Sequence, residues 1–118
     1  MVDLTGTWRV AEVSGADAGT DPERAPWLTF DGDGQVYGFA GVNRVRGTWA
    51  REGDTVTFGP LVSTLMAGPE PAMELESALT RLLDGPLTVA EADGSLVLRA
   101  PDGRAATLTD DPPAAALA

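Results

Sequence analysis

The stretch Leu87-Thr88-Val89-Ala90-Glu91-Ala92-Asp93-Gly94-Ser95-Leu96-Val97-Leu98-Arg99-Ala100-Pro101-Asp102-Gly103-Arg104-Ala105-Ala106-Thr107-Leu108-Thr109 is three short apolar-rich runs parted by Asp-Gly pairs. Leu87 to Ala92, Ser95 to Ala100 and Arg104 to Thr109 read as strands of an antiparallel meander. Asp-Gly marks each turn because both residues tolerate positive φ.

The same pattern recurs toward the N terminus. Residues 4–13 alternate, with Leu4, Gly6, Trp8 and Val10 on one face and Thr5, Thr7, Arg9 and Ala11 on the other, as in a half-buried strand. Residues 14–26 carry Gly, Asp and Pro and read as a loop. Trp27 to Phe30 and Gln35 to Ala40 flank Asp31-Gly32-Asp33-Gly34, a hairpin signal. Gly38 suggests a bulge or bend in the second arm. Gly41-Val42-Asn43 breaks the pattern. Arg44 to Arg51 follows, with Val45, Gly47 and Trp49 on one side, and then Thr55 to Phe58 beyond Glu52-Gly53-Asp54. Gly59 to Gly68 is apolar without a clear period.

Residues 70–84 carry the one strong helical pattern. Ala72, Leu75, Leu79, Leu82 and Leu83 form a stripe, Pro71 suits the first turn, and Gly85-Pro86 stops the helix. About eight short strands and one helix predict a mainly β (α+β) fold. The expected architecture is a small, partly open antiparallel β-barrel in which the helix plugs one end or covers a gap. Gly-Thr-Trp occurs at 6–8 and 47–49, and each Trp is expected to fill the same core from its own strand.

A chain of 118 residues makes one domain. The expected division is a domain over residues 1–110 and a frayed acidic, Pro- and Ala-containing tail over 111–118. The net charge is −10, with 18 acidic residues against 8 basic ones. That balance disfavours nucleic acid and anionic membranes as partners. The chain has neither Cys nor His, and all 8 basic residues are Arg. Disulfides, thiolate or histidine metal sites, the Ser-His-Asp triad and Schiff-base chemistry are therefore excluded. Neither a secretory signal nor an apolar run long enough to span a bilayer is present. The expectation is a cytoplasmic monomer with no cofactor, no metal and no membrane insertion.

The motifs Gly38-Phe39-Ala40-Gly41-Val42-Asn43-Arg44 with Gly47, Phe58-Gly59-Pro60-Leu61-Val62-Ser63-Thr64-Leu65-Met66-Ala67, and Pro71-Ala72-Met73-Glu74 with Glu76 resemble the META domain family, also called HslJ-like. Gly6-Thr7-Trp8 matches that family's opening strand, and the resemblance covers about residues 4–109. It implies a small conical, partly open barrel of broadly lipocalin-like topology. It also implies a setting in heat-shock or stress physiology, with no family-wide reaction. Relatives often carry Cys at the positions of Val42 and Gly68. The paired loss suggests that the two positions are neighbours.

Asn43, Arg44, Arg46 and the Ser63–Met66 segment form the candidate binding rim, with Ser63, Thr64 and Met66 as its second arm. Arg offers a planar fork of donors for a carboxylate. The competing reading is structural, with Asn43 pairing backbone groups in a turn and the Ser63 and Thr64 hydroxyls satisfying the backbone where a strand breaks up. No catalytic residue is assigned, because a nucleophilic Ser63 or Thr64 lacks a His or Lys base. Asp31 to Gly34 reads as a turn rather than a calcium loop, since Val42 stands where a closing Glu belongs. Glu70, Glu74 and Glu76 read as solvated surface. The expected function is a non-catalytic, stress-related binding module for a protein partner. The alternative is a carrier of a small apolar ligand inside the barrel, and a carboxylate-based hydrolase is a remote third.

Overall fold

The computed structural model describes residues 3–16 and 22–117. Its strands are β1 (Gly6–Val13), β2 (Trp27–Phe30), β3 (Gln35–Phe39), β4 (Arg44–Glu52), β5 (Thr55–Phe58), β6 (Val62–Ser63), β7 (Leu87–Ala92), β8 (Ser95–Arg99) and β9 (Ala105–Thr109), with one helix, α1 (Glu70–Leu82), between β6 and β7. The nine strands form one sheet in the order β3-β2-β1-β9-β8-β7-β5-β4-β6, and a further β3–β4 pairing closes the ring. All of the strand pairs are antiparallel. The small barrel with one helix is therefore the observed architecture. Its narrowest seam is β5–β7, where only Thr55↔Thr88 and Val56↔Leu87 pair. β6 stands outside the ring, laid on the first half of β4 by Val45↔Ser63 and Arg46↔Val62.

Side chains that alternate inward fill the ring. Val10, Leu28, Phe30, Val36, Val56, Leu87, Leu98 and Leu108 are almost fully buried. Leu75, Leu79 and Leu82 of α1, with Leu83 just beyond it, join the same core. Phe30 meets Trp49 edge-to-face at 5.3 Å and Phe58 at 6.0 Å. Both Gly-Thr-Trp triplets deliver a Trp to this core. The indole of Trp8 donates to the Leu4 carbonyl at 2.9 Å, and that of Trp49 to the Asp31 carbonyl at 2.9 Å. Each ring thus buries its apolar body and satisfies its N–H.

Three expectations change on contact with the structure. The alternation of residues 4–13 slips between Val10 and Glu12, where β1 shifts register against β9. The extra residue lets both Val10 and Val13 face the core. Gly38 keeps regular pairing on both sides instead of forming a bulge. It is glycine because a Cβ there would collide with the Trp27 carbonyl oxygen. The tail is seated rather than frayed over its described part. Asp111 forks onto Arg9 with both N–O distances at 3.2 Å, and the Ala114 N–H donates to Glu23 Oε2 at 2.8 Å. These contacts, with Pro113 buried between them, hold residues 111–114 in place.

The Asp31–Gly34 turn is a hairpin. Asp31 N–H donates to the Gln35 carbonyl at 2.8 Å, and Asp31 Oδ1 accepts from Asp33 N–H at 3.0 Å. Part of the loop expected over 14–26 lies outside the described residues, at 17–21, as do Met1, Val2 and Ala118.

Phe30 is 1% exposed and sits at the centre of the aromatic group. Phe30→Ala is expected to cost about 4 kcal/mol of unfolding free energy, the usual range for deleting a buried ring. Urea denaturation followed by Trp fluorescence measures this. A loss below about 1 kcal/mol would mean that the barrel is not organised around Phe30.

Candidate functional site

The link between β3 and β4 is Ala40-Gly41-Val42-Asn43. Gly41 has φ +135°, and a Cβ on it would lie 2.9 Å from the Ala72 carbonyl oxygen and 3.4 Å from Glu76 Cβ. Only glycine lets this link lie flat on α1. That approach puts two backbone donors onto one carboxylate oxygen. Glu76 Oε1 accepts from Val42 N–H at 3.0 Å and from Asn43 N–H at 2.5 Å.

The Asn43 side chain completes the knot. Its Nδ2 donates to Glu76 Oε2 at 2.7 Å and to the Met66 carbonyl at 3.1 Å. Its Oδ1 accepts from Thr64 Oγ1 at 2.9 Å and from Met66 N–H at 2.7 Å. Both amide donors and both acceptor positions are used, the full capacity of an asparagine. Thr64 Oγ1 also accepts from Arg44 N–H at 3.1 Å, and Thr64 N–H donates to the Arg44 carbonyl at 3.1 Å.

This corrects the placement of Asn43 as an open rim group. It is 4% exposed and lies beneath the rim as a structural tie. The reading of Glu76 as solvated surface is corrected with it. Glu76 stands on α1 four residues after Ala72 and three before Leu79, at the border of the apolar stripe. That spacing was the signal for an inward carboxylate. Thr64 does what the structural reading asked of it, since its hydroxyl bonds a side chain and a backbone group in the same knot.

Partial burial pushes the Glu76 carboxyl upward. The hydrogen bonds from the Asn43 side chain, the Asn43 N–H and the Val42 N–H outweigh it and hold the carboxyl below its ordinary value. The charge is met by N–H dipoles.

The remaining predicted residues face outward. Tyr37, Arg46 and Val62 lie in one cross-strand row, and Phe39 and Arg44 are paired in the next. The Arg46 guanidinium lies 5.6 Å from the Tyr37 ring centre. Such stacking fixes an arginine without neutralising it. Among the described residues neither Arg44 nor Arg46 has a carboxylate partner. Beside them Val62 is 73% exposed, Leu65 96% and Met66 57%. A shallow groove of about 380 Å³ runs between these rows, walled by Tyr37, Arg44, Arg46 and Val62. The six predicted residues therefore converge on one seam but divide by face. Asn43 is buried beneath it, Thr64 is exposed but gives its hydroxyl to the tie, and Arg44, Arg46, Ser63 and Met66 are exposed. Tyr37 and Val62 complete the outer face. The sequence reading placed neither on the rim, and Val62 sits on two-residue β6, too short to display a period.

A Cβ built on Gly68 lies 3.5 Å from Val42 Cβ. The two positions at which the resembled family often has Cys are thus in contact, at a spacing within the range of disulfides.

The comparisons agree with this architecture. A family model described as META domain matches residues 2–112. An NMR structure of a protein from Burkholderia xenovorans is 24% identical with a TM-score of 0.73, covering 90% of this chain and 82% of that one. A crystal structure of a DUF4847 family protein from Bacteroides vulgatus is 15% identical with a TM-score of 0.68, covering 92% of this chain and 94% of that one. At these identities the structural likeness concerns the fold. No curated protein matches the sequence.

Two outcomes check the site. Glu76→Ala leaves three N–H donors without their acceptor and is expected to cost about 3 kcal/mol, with Glu76→Gln costing about half of that. Because the folded carboxyl titrates below its unfolded value of about 4.3, Glu76 adds stability above that pH. The addition is lost as pH falls through the folded value, so the gap between wild type and Glu76→Gln should narrow only in acid. Chemical denaturation across pH measures this, and a constant gap would contradict it. Separately, Val42→Cys with Gly68→Cys should close a disulfide that adds about 3 kcal/mol over the reduced form. Free thiols after oxidation would contradict the contact.

Proposed function

The chain belongs to the META domain family, and from that premise we propose that it is a non-catalytic binding module that docks a protein partner on the Arg44–Arg46 face. The stress-related setting and a cytoplasmic, monomeric state belong to the same proposal and rest on the sequence and the family resemblance. One observation carries the reading. In a chain of net charge −10, Arg44 and Arg46 stand without a carboxylate partner among the described residues, beside exposed Val62, Leu65 and Met66. Contiguous apolar surface with a polar border is the ordinary composition of an interaction site. The basic pair sets which partners approach, because it is a local reversal of the chain's overall sign.

The non-catalytic part rests on chemistry. The Thr64 hydroxyl is engaged with Asn43 and Arg44. Ser63 is exposed on β6 in a chain without His, Cys or Lys. Glu76 is bound by three N–H groups that favour its charged form. None of these is poised to move a proton at neutral pH. The carrier alternative needs space inside the barrel, where Phe30, Trp49 and Phe58 already meet.

Arg44→Ala with Arg46→Ala is expected to fold normally, with a melting temperature within about 3 °C of wild type. It should lose the partners that wild-type protein captures in low salt. A fall in melting temperature well beyond that would make the arginines structural, and unchanged capture would move the interface elsewhere.

A further inference from the structure

Among the described residues, β6 pairs with a neighbour on one side only. Its partner is β4, through Val45↔Ser63 and Arg46↔Val62, and it ends the strand order. Thr64 N–H donates to the Arg44 carbonyl. In an antiparallel pair the bonded residues alternate, so Val62 and Thr64 turn their backbone groups toward β4 while Ser63 turns its N–H and carbonyl away. Those groups border a channel of about 330 Å³ between β6 and α1. Leu61 and Ser63 line one bank, and Glu76, Ser77, Thr80, Arg81 and Asp84 the other, so the acidic side chains of a segment belong on the outer, arginine-bearing face and not in the channel. A strand edge facing a helix across a channel is the geometry in which an extended peptide adds to a sheet.

The outer face above this edge indicates what such a peptide would carry. Val62 presents a bare apolar side chain next to the edge, in the same row as Arg46 and Tyr37. Arg44 lies two positions along β4, on the same face. Added strands place side chains on a face at every second residue. A segment with an apolar and an acidic residue two positions apart would present both to this face, the apolar one beside Val62 and the acidic one toward the arginines. The chain's own acidic character argues against a second copy as the occupant.

We propose that the free edge of β6 receives an extended acidic–apolar segment of a partner protein, added as a strand in the channel between β6 and α1. This rests on the partner-binding reading above and specifies its mode and the partner's chemistry. Arg44 and Arg46 select the segment by charge, Val62 and Leu65 supply apolar contact, and Ser63 supplies the main-chain bonds. Pro60 and the shortness of β6 limit the edge, a common protection against indiscriminate pairing.

The probe is a displayed library of random linear peptides selected on the wild-type protein. Ser63→Pro removes the donor that faces the channel and leaves the β4-facing bonds of Val62 and Thr64 in place. Ser63→Ala controls for the lost hydroxyl, and Arg44→Glu with Arg46→Glu reverses the charge. The expected result is enrichment of peptides with an acidic and an apolar residue two positions apart. Their binding should fall at least about tenfold in both Ser63→Pro and the charge reversal and persist in Ser63→Ala. Bound peptide should also slow hydrogen exchange at the Ser63 amide of the wild type, a readout independent of whether Ser63→Pro folds.

Peptides that lose binding in the charge reversal but neither depend on Ser63 nor protect its amide would overturn strand addition while the docking face survives. Peptides indifferent to both variants, or no enrichment, would overturn both. A wild-type dimer abolished by Ser63→Pro would make the occupant a second copy and overturn the assignment.

Discussion

The carboxylate of Glu76 is the point at which three separate pieces of chain are held together. The β3–β4 link reaches it through the Val42 and Asn43 N–H groups, and α1 carries it. The Asn43 amide extends the tie to Thr64 and Met66 on the far side. Without the carboxylate, the Val42 and Asn43 N–H groups and the buried Asn43 amide would lose this acceptor. The charge belongs to the design, because hydrogen bonds to a carboxylate are stronger than those to a neutral acceptor. Buried polar groups that are fully satisfied specify one arrangement over its near competitors.

The knot also decides what remains outside. Asn43 ends the β3–β4 link with its side chain buried and Arg44 opens β4 exposed, with Val45 turned inward between Arg44 and Arg46 as the period of a strand requires. With Asn43 held inward, Arg44 starts β4 outward, and Arg46 follows it on the same face. Thr64 and Ser63 divide in a related way, one side chain spent on the knot and one strand position left facing the channel beside α1. The basic, apolar-flanked surface is in this sense a by-product of the tie beneath it.

Most of the barrel was legible in the sequence. Asp-Gly turns and alternating apolar residues mark the hairpins, and the Ala72–Leu83 stripe marks α1. The eight strands read from the sequence are the eight that close the ring. What escaped the reading was set by tertiary contact. The slip in β1 between Val10 and Glu12 depends on β9, and β6 exists only because β4 offers an edge. Gly38 and Gly41 were visible as special positions, but the atoms they make room for, the carbonyls of Trp27 and Ala72, lie on other elements. The candidate residues lie along one seam. Their division into inner and outer groups was not visible: the spacing of Glu76 from Ala72 and Leu79 marks it as a border position of α1, but its partners come from the β3–β4 link, which only tertiary packing brings there.

The central claim is that Asn43 and Glu76 act as one unit. A double-mutant cycle on Asn43→Ala and Glu76→Ala measures it most directly, using unfolding free energies of the two single variants and the double. The account predicts a coupling of about 1 to 2 kcal/mol, so that the double variant loses clearly less than the sum of the singles. Additive losses within about 0.3 kcal/mol would contradict it, and would mean that the two residues stabilise the barrel independently.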